Sequence, residues 1–115
     1  METNINNNEN INIADALARI GGNEKLYKTL LGRFLEGNHL EVLNDAINSG
    51  DREEATRQAH TLKGVSANLS LVKINTLTAE IERLLHGGED YEECLNELKQ
   101  AFDSTVAEIN EIIAT

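Results

Sequence analysis

The stretch that decides the fold is residues 51–69, DREEATRQAHTLKGVSANL. It opens with Asp51 and Glu54, whose D-x-x-E spacing is a capping box that predicts a helix start. Small and apolar side chains then recur at alternating intervals of four and three residues, which is the period of one helix face. They are Ala55, Ala59, Leu62, Ser66 and Leu69. The stretch therefore predicts an amphipathic helix with one face in a core, ending in a turn at residues 68–70.

Two further helices are predicted on the N-terminal side of this stretch. A short one covers residues 12–20 and is stopped by Gly21-Gly22. A long one runs from Glu24 to Ser49, with Asn23 as its cap. Glycine weakens a helix interior, so we expect a bend or break near Gly37-Asn38.

Two more helices are predicted on the C-terminal side. Ser70 is the expected cap of the fourth helix, which Gly87-Gly88 ends. Asp90 and Glu93 form a second capping box, and the fifth helix runs to about Ile113. Short connections between long amphipathic helices make neighbours antiparallel. We therefore predict an all-α fold, an antiparallel up-and-down four-helix bundle with a short extra N-terminal helix.

Composition supports one helical domain. The chain has 115 residues, no proline and only four aromatic residues, which favours helices over strands. Residues 11–115 form the predicted bundle domain. Residues 1–10 are Asn-rich with few apolar side chains, and we predict that they form a disordered tail. The net charge of −10 argues against nucleic acid and anionic membrane surfaces as partners.

Cysteine usage and hydropathy bear on the cellular setting. Cys94 is the only cysteine, which excludes an internal disulfide and a cysteine-based zinc site. This favours a reducing, cytoplasmic location. The chain has no apolar run near the length of about 20 residues that spans a bilayer, and its N-terminus lacks a signal-peptide pattern.

The segment around His60 carries the candidate chemistry. His60 follows the core residue Ala59, so it lies at the edge of the buried stripe. Gly64 stands at i+4, in mid-helix, where glycine costs about 1 kcal/mol relative to alanine. Side chains at that spacing are neighbours, so a glycine there clears space beside the imidazole. Ala67, the next residue on that face, is also small.

Charged neighbours suit an anion being delivered to the ring. Lys63 lies at i+3 from His60 and Arg57 at i−3, within a strongly acidic chain. Neutral imidazole can attack phosphorus and hold a transferable phosphoryl group, provided that an acceptor fixes its tautomer. Glu82 is the candidate acceptor, because it follows the core residue Ile81 at a similar height in the antiparallel partner helix. The sequence leaves open whether these two flanks converge or diverge.

The segment resembles the histidine-containing phosphotransfer (HPt) domain, whose hallmark is H-x-L-K-G, here His60, Leu62, Lys63 and Gly64. Residues 16–35 resemble the first two helices of HPt domains that end hybrid sensor kinases, and residues 79–82 resemble their next-to-last helix. The resemblance covers roughly residues 11–113. Two positions depart from the family, since Ala67 and Ser70 stand where it often has glycine.

The resemblance implies a phosphorelay intermediate and not a stand-alone enzyme. His60 would take a phosphoryl group from a receiver-domain aspartate and pass it to a response regulator, with Lys63 neutralising charge and Gly64 giving access. The implied partners are receiver domains and a hybrid sensor kinase. No cofactor of its own is implied, because Mg²⁺ would sit on the partner receiver. We expect a monomer, and the sequence leaves open whether it acts alone or as part of a longer kinase.

Competing interpretations stay open at this point. The chain could be a non-catalytic helical module that binds a signalling partner around His60, and Arg57 could simply pair with Glu53 or Glu54. A metal site in the bundle core is disfavoured, because the chain lacks the pair of Glu-x-x-His motifs, one on each of two helices, that such sites use. His39 and His86 have no ligand-like companions, and we interpret both as surface residues.

Overall fold

The computed structural model describes residues 10–115 and is all-helical over that range, as the sequence predicted. The described residues form six α-helices in a body of 45 × 21 × 20 Å. In chain order they are α1 (Ile13–Arg19), α2 (Glu24–Glu36), α3 (His39–Asn48), α4 (Arg52–Asn68), α5 (Val72–Gly87) and α6 (Glu92–Ala114).

The sixth helix arises because the long predicted helix of residues 24–49 is broken. α2 ends at Glu36 with Gly37 as its C-cap, and Asn38 adopts a left-handed conformation with φ of 51° before α3 begins at His39. Asparagine enters this region more readily than most residues, so the break lies where the Gly-Asn pair permits it. The expected bend or break near residues 37–38 is confirmed.

Local caps set several helix ends as the sequence predicted. The Asn23 side chain accepts a hydrogen bond from the Leu26 N–H at 2.9 Å, and Asp51 accepts one from Glu54 N–H at 3.0 Å. Gly88 closes α5 with φ of +72°, a conformation that residues with a Cβ rarely adopt. These helix ends depend only on residues within one helical turn, so the sequence pattern could predict them.

The predicted cap at Ser70 is wrong. Leu71 occupies the N-cap position of α5, while Ser70 lies in the turn before it with φ of 56°. The Ser70 hydroxyl donates to the Asp15 carboxylate at 2.7 Å, a contact across 55 residues. The Ser70 hydroxyl therefore makes a tertiary hydrogen bond and does not cap the helix locally.

The second predicted capping box, Asp90 with Glu93, is also wrong. α6 begins at Glu92 with Tyr91 at the N-cap position. The Asp90 carboxylate accepts from the Glu92 N–H at 3.0 Å, two residues along the chain instead of three. The acidic residue still satisfies a free N–H at the helix start, but through a tighter turn.

The structure describes one residue of the predicted N-terminal tail, Asn10. Residues 1–9 of the predicted tail lie outside the described residues. Asn10, its last member, is instead buried, and its amide donates to Glu108 of α6 at 2.6 Å. Ile11 is fully buried, and the Asn12 N–H donates to the Ser70 carbonyl at 3.0 Å. The segment before α1 is thus packed against the rest of the chain.

The apolar stripe predicted for α4 lies in the core. The four stripe residues within α4 are all buried, as is Leu69 just after it. Arg52, at the start of α4, bonds to carbonyls at the end of α5, and Asn75 near the start of α5 bonds to Lys63 in the second half of α4. The two helices therefore run in opposite directions. No helix of residues 10–115 is long and apolar enough to cross a membrane.

Candidate functional site

His60 projects from the outer side of α4 into solvent. Its side chain is 68% exposed, although its neighbours Ala59 and Leu62 are buried in the core. The difference follows from the helical period, because one residue of rotation carries a side chain about 100° from the buried stripe. The sequence placed His60 at the edge of this stripe, and the structure places its ring beyond that edge.

Glu82 of α5 meets the ring, so the flanks of the two helices converge. The Nδ1 atom of His60 lies 2.9 Å from Oε2 of Glu82. A carboxylate can only accept, so the neutral ring must carry its proton on Nδ1 to make this bond. Nε2 is then the nitrogen with a free lone pair. Glu82 thereby supplies the acceptor that the sequence could only propose.

Lys63 shares the same carboxylate. Its Nζ lies 2.7 Å from Oε1 of Glu82, while His60 uses Oε2. Burial of Glu82, whose side chain is 22% exposed, raises its pKa. Hydrogen bonds from Lys63 and His60 and the charges of both outweigh that penalty, so the net pKa of Glu82 is lowered. The carboxylate is therefore ionised at neutral pH and able to hold both partners.

Gly64 leaves open space on the same side of α4. A Cβ added there would meet no atom of residues 10–115 within 4 Å, apart from the adjacent residues and the helix backbone. In this arrangement an alanine would not touch the imidazole, because the ring turns toward Glu82. The space beside Gly64 is therefore open on the outer side of α4, and Ala67 in the next turn is half-buried.

Arg57 pairs within its own helix. Its guanidinium contacts the carboxylate of Glu54 at 2.5 Å, which is the ordinary i, i+3 ion pair that the sequence also allowed. The side chain nevertheless lines an open groove of about 740 Å³ next to His60. The groove is bounded by Arg52, Glu53, Thr56, Arg57, His60, Glu82, Leu85 and His86.

Arg52 and Asn75 make polar contacts between α4 and α5 that the sequence did not predict. We call these contacts the α4–α5 ties. The Arg52 guanidinium donates to the carbonyls of Leu84, Leu85 and Glu89. The Asn75 amide donates to the carbonyl of Lys63. Their partners are backbone atoms between 12 and 37 residues away, and backbone carbonyls carry no signature in a sequence.

The structure corrects the interpretation of His39 as a surface residue. It was expected on the surface, but its ring is half-buried and stacks on Phe34 with centroids 5.2 Å apart. Burial lowers the pKa of His39. His86 is exposed, as expected. Cys94 is partly buried, and its thiol lies 3.6 Å from the Leu77 carbonyl.

The arrangement suits nucleophilic chemistry at Nε2 of His60. The nitrogen has a lone pair, faces solvent, and belongs to a ring whose other nitrogen is held by an anion. Such a ring can attack an electrophile and share the resulting positive charge with Glu82. Within the described part of the chain, no group of three or more His, Cys, Asp or Glu side chains is placed to hold a metal ion.

Comparison with known proteins points the same way. A family model described as "Hpt domain" matches residues 30–111 of this chain, a range that includes the histidine, lysine, glycine and glutamate of the site. No curated protein and no solved structure matches.

Proposed function

The chain belongs to the Hpt domain family, and on that premise we propose that His60 is a phosphorelay intermediate. Membership of this family implies histidine phosphotransfer in two-component signalling. In the proposal, His60 accepts a phosphoryl group from a receiver-domain aspartate and passes it to a response regulator. The observation that carries the assignment is the exposed imidazole whose Nδ1 is held 2.9 Å from Glu82.

The proposed step begins with the lone pair of Nε2 on the neutral ring. It attacks the phosphorus of the receiver's aspartyl phosphate, the N–P bond forms, and the P–O bond to the aspartate breaks. The electron pair of that bond leaves with the aspartate, which becomes a carboxylate. The ring now carries a positive charge and keeps its proton on Nδ1, where Glu82 stabilises it. The reverse step delivers the group to a second receiver.

Lys63 is proposed to neutralise the phosphoryl group. Its ammonium begins in contact with Glu82, one helical turn from His60. Once the ring is cationic, it competes with Lys63 for the carboxylate, and Lys63 is free to turn toward the phosphoryl oxygens. Glu82 thus serves two cations in sequence, which supports assigning all three side chains to one site.

The remaining site residues are assigned supporting roles. Gly64 and Ala67 leave room for the receiver to approach His60 along α4. Arg57 adds positive charge at the groove, weakened by its pairing with Glu54. These roles are proposals from geometry and from the resemblance of the motif.

The partners and the setting follow from the same proposal. Hpt domains are phosphocarriers, so the receiver supplies the Mg²⁺ and most of the catalysis, and this chain needs no cofactor of its own. We propose a sensor kinase and receiver domains as partners, a monomeric state and a cytoplasmic location. We also propose that the broken segment α2–α3, together with α4, α5 and α6, forms the antiparallel up-and-down order of a four-helix bundle.

Phosphoryl transfer from a labelled receiver tests the proposal directly. Receiver domains from the same genome are phosphorylated, mixed with this protein, and the label is followed by gel autoradiography. We expect label on the wild-type protein and on His86→Gln, a matched control with an exposed histidine on the same groove. We expect none on His60→Gln.

The proposal fails if the wild-type protein stays unlabelled across the panel, or if His60→Gln is labelled equally. Unchanged signalling by a partner after His60→Ala would instead favour the non-catalytic interaction module.

A further inference from the structure

Asn75 ties α5 to α4 on one side of the site. Its amide nitrogen donates to the backbone carbonyl of Lys63 at 2.9 Å and lies 3.4 Å from the hydroxyl oxygen of Ser66. The Ser66 hydroxyl donates to the same Lys63 carbonyl at 3.0 Å. One side chain of α5 is therefore bound to the turn of α4 that directly follows His60.

Arg52 ties the same two helices on the other side of the site. Its Nε donates to the Leu85 carbonyl at 2.8 Å and its Nη2 to the Leu84 carbonyl at 3.2 Å. The guanidinium also lies over the Tyr91 ring, 5.3 Å from its centroid. A cation at the carboxyl end of α5 is favourably placed for the helix dipole. The bonded carbonyls lie two and three residues beyond Glu82.

The packing between these two ties buries side chains of both helices. In this stretch α4 buries Ala55, Ala59 and Leu62, and α5 buries Thr78, Ile81 and Leu85. Apolar burial is non-directional. Hydrogen bonds are directional and weaken steeply when the geometry changes. Asn75 and Arg52 are thus the directional contacts that bracket the pair of His60 and Glu82.

The pair of His60 and Glu82 depends on that register, because one residue lies on each helix. Their contact is 2.9 Å, and a displacement on the order of 1 Å would take it beyond hydrogen-bonding distance. Without the carboxylate, the ring loses the acceptor that keeps its proton on Nδ1. A proton on Nε2 would block the lone pair that the proposed transfer needs.

We propose that Asn75 and Arg52 are positioning residues that fix the register of α4 against α5 and so hold Glu82 on Nδ1 of His60. The consequence for phosphoryl transfer rests on the function proposed above, whereas the effect on the His60 tautomer does not. Neither residue touches the reacting atoms, and both act through Glu82.

The tautomer of His60 is the readout that separates positioning from simple stabilisation. Asn75→Leu removes the amide while keeping the branching of the side chain at Cγ, and Arg52→Met removes the guanidinium while keeping an unbranched chain. Asn96→Leu on α6 and Arg83→Met on α5 are matched controls, because both are exposed residues outside the α4–α5 ties. Nitrogen-15 NMR of the imidazole, recorded above the titration range, gives the ratio of Nδ1–H to Nε2–H. The His86 signals serve as an internal standard.

For Asn75→Leu and Arg52→Met we expect the Nδ1–H to Nε2–H ratio of His60 to fall about tenfold, because one charge-assisted hydrogen bond to the ring is lost. The controls should keep the wild-type ratio. Transfer should slow by about tenfold, within the range that a small misplacement of a reacting group can cause. In a Glu82→Gln background the added Asn75→Leu change should have almost no further effect on the transfer rate, because both act through the same contact.

A wild-type tautomer ratio in Asn75→Leu, whatever happens to its melting temperature, would overturn the inference, even if Arg52→Met fails to fold. A tautomer shift in a protein whose wild type accepts no phosphoryl group would refute the proposed function and leave the positioning role standing.

Discussion

His60 and His39 show how two histidines of one chain acquire different properties from their surroundings. The His60 ring stands outside an unbroken helix and meets a carboxylate from the neighbouring helix. The His39 ring lies at the start of α3, stacks on Phe34, and is half-buried. The first is held by one directional polar contact and left open to solvent. The second is held by non-directional packing, and burial lowers its pKa.

The comparison shows how differently two histidine rings of one chain are held. What distinguishes His60 is an ionised acceptor on one nitrogen together with open space at the other. His39 has an aromatic neighbour in place of an acceptor, and it secures the joint between α2 and α3.

The largest effect should come from removing the aromatic support of His39. Phe34 is buried between His39 and Phe102, with a ring-centroid distance of 5.7 Å to the latter. Phe34→Ala should lower the free energy of unfolding by about 3 kcal/mol, as large-to-small changes of buried aromatic residues do. Urea unfolding measures the loss. Leu26→Ala is the control, because Leu26 is 40% exposed. A loss below about 1 kcal/mol would contradict the packing role.

The next effect should come from neutralising the acceptor of His60. Glu82→Gln keeps the shape of the side chain but cannot offset the positive charge of a phosphorylated ring. We expect phosphoryl transfer to slow about tenfold, with a change in stability below about 1 kcal/mol. Rapid-quench kinetics with a phosphorylated receiver measures the rate. Glu80→Gln, two residues earlier in α5 and paired with Arg83, should transfer at the wild-type rate. Equal slowing of both variants would show that the effect is general to α5.

A smaller effect should separate access to His60 from helix stability. Gly64→Ala should raise the free energy of unfolding by up to about 1 kcal/mol, because alanine is the better helix former and its Cβ has space. The same Cβ should slow transfer by obstructing the receiver. Gly32→Ala in α2 is the matched control, since a Cβ there also meets nothing within 4 Å among the described residues. It should stabilise similarly and leave transfer unchanged. Wild-type transfer by Gly64→Ala would refute the access role.

The smallest effect should appear in the pH dependence of stability. The pKa of His39 is lowered from 6.5 by burial, so folding favours its neutral form. Its contribution is fully present above pH 6.5 and is lost as the pH falls toward the lowered value, because the unfolded chain binds the proton first. His39→Gln should flatten this part of the curve in urea titrations between those values. An unchanged slope in His39→Gln would assign the pH dependence to other groups.

Predictability from sequence differed between these two regions for a physical reason. The stripe of α4 and the position of His60 beside it were predictable, because both follow from the period of one helix. The stacking of His39 on Phe34 was not, because it depends on the angle at which two helices meet after the break at Asn38. The hydroxyl of Ser70 and the guanidinium of Arg52 likewise found partners more than 30 residues away.

The amino-acid sequence by itself determined the helices, most of their ends, the break in the long N-terminal segment and the exposed placement of His60. Each of these depends on residues within about one helical turn, where backbone geometry leaves few choices. Only the tertiary structure decided that the flanks of α4 and α5 converge, so that Glu82 holds Nδ1 and Lys63 shares the carboxylate. That outcome depends on the register of two packed helices, in which Asn75 and Arg52 bind backbone carbonyls whose positions exist only in the folded chain.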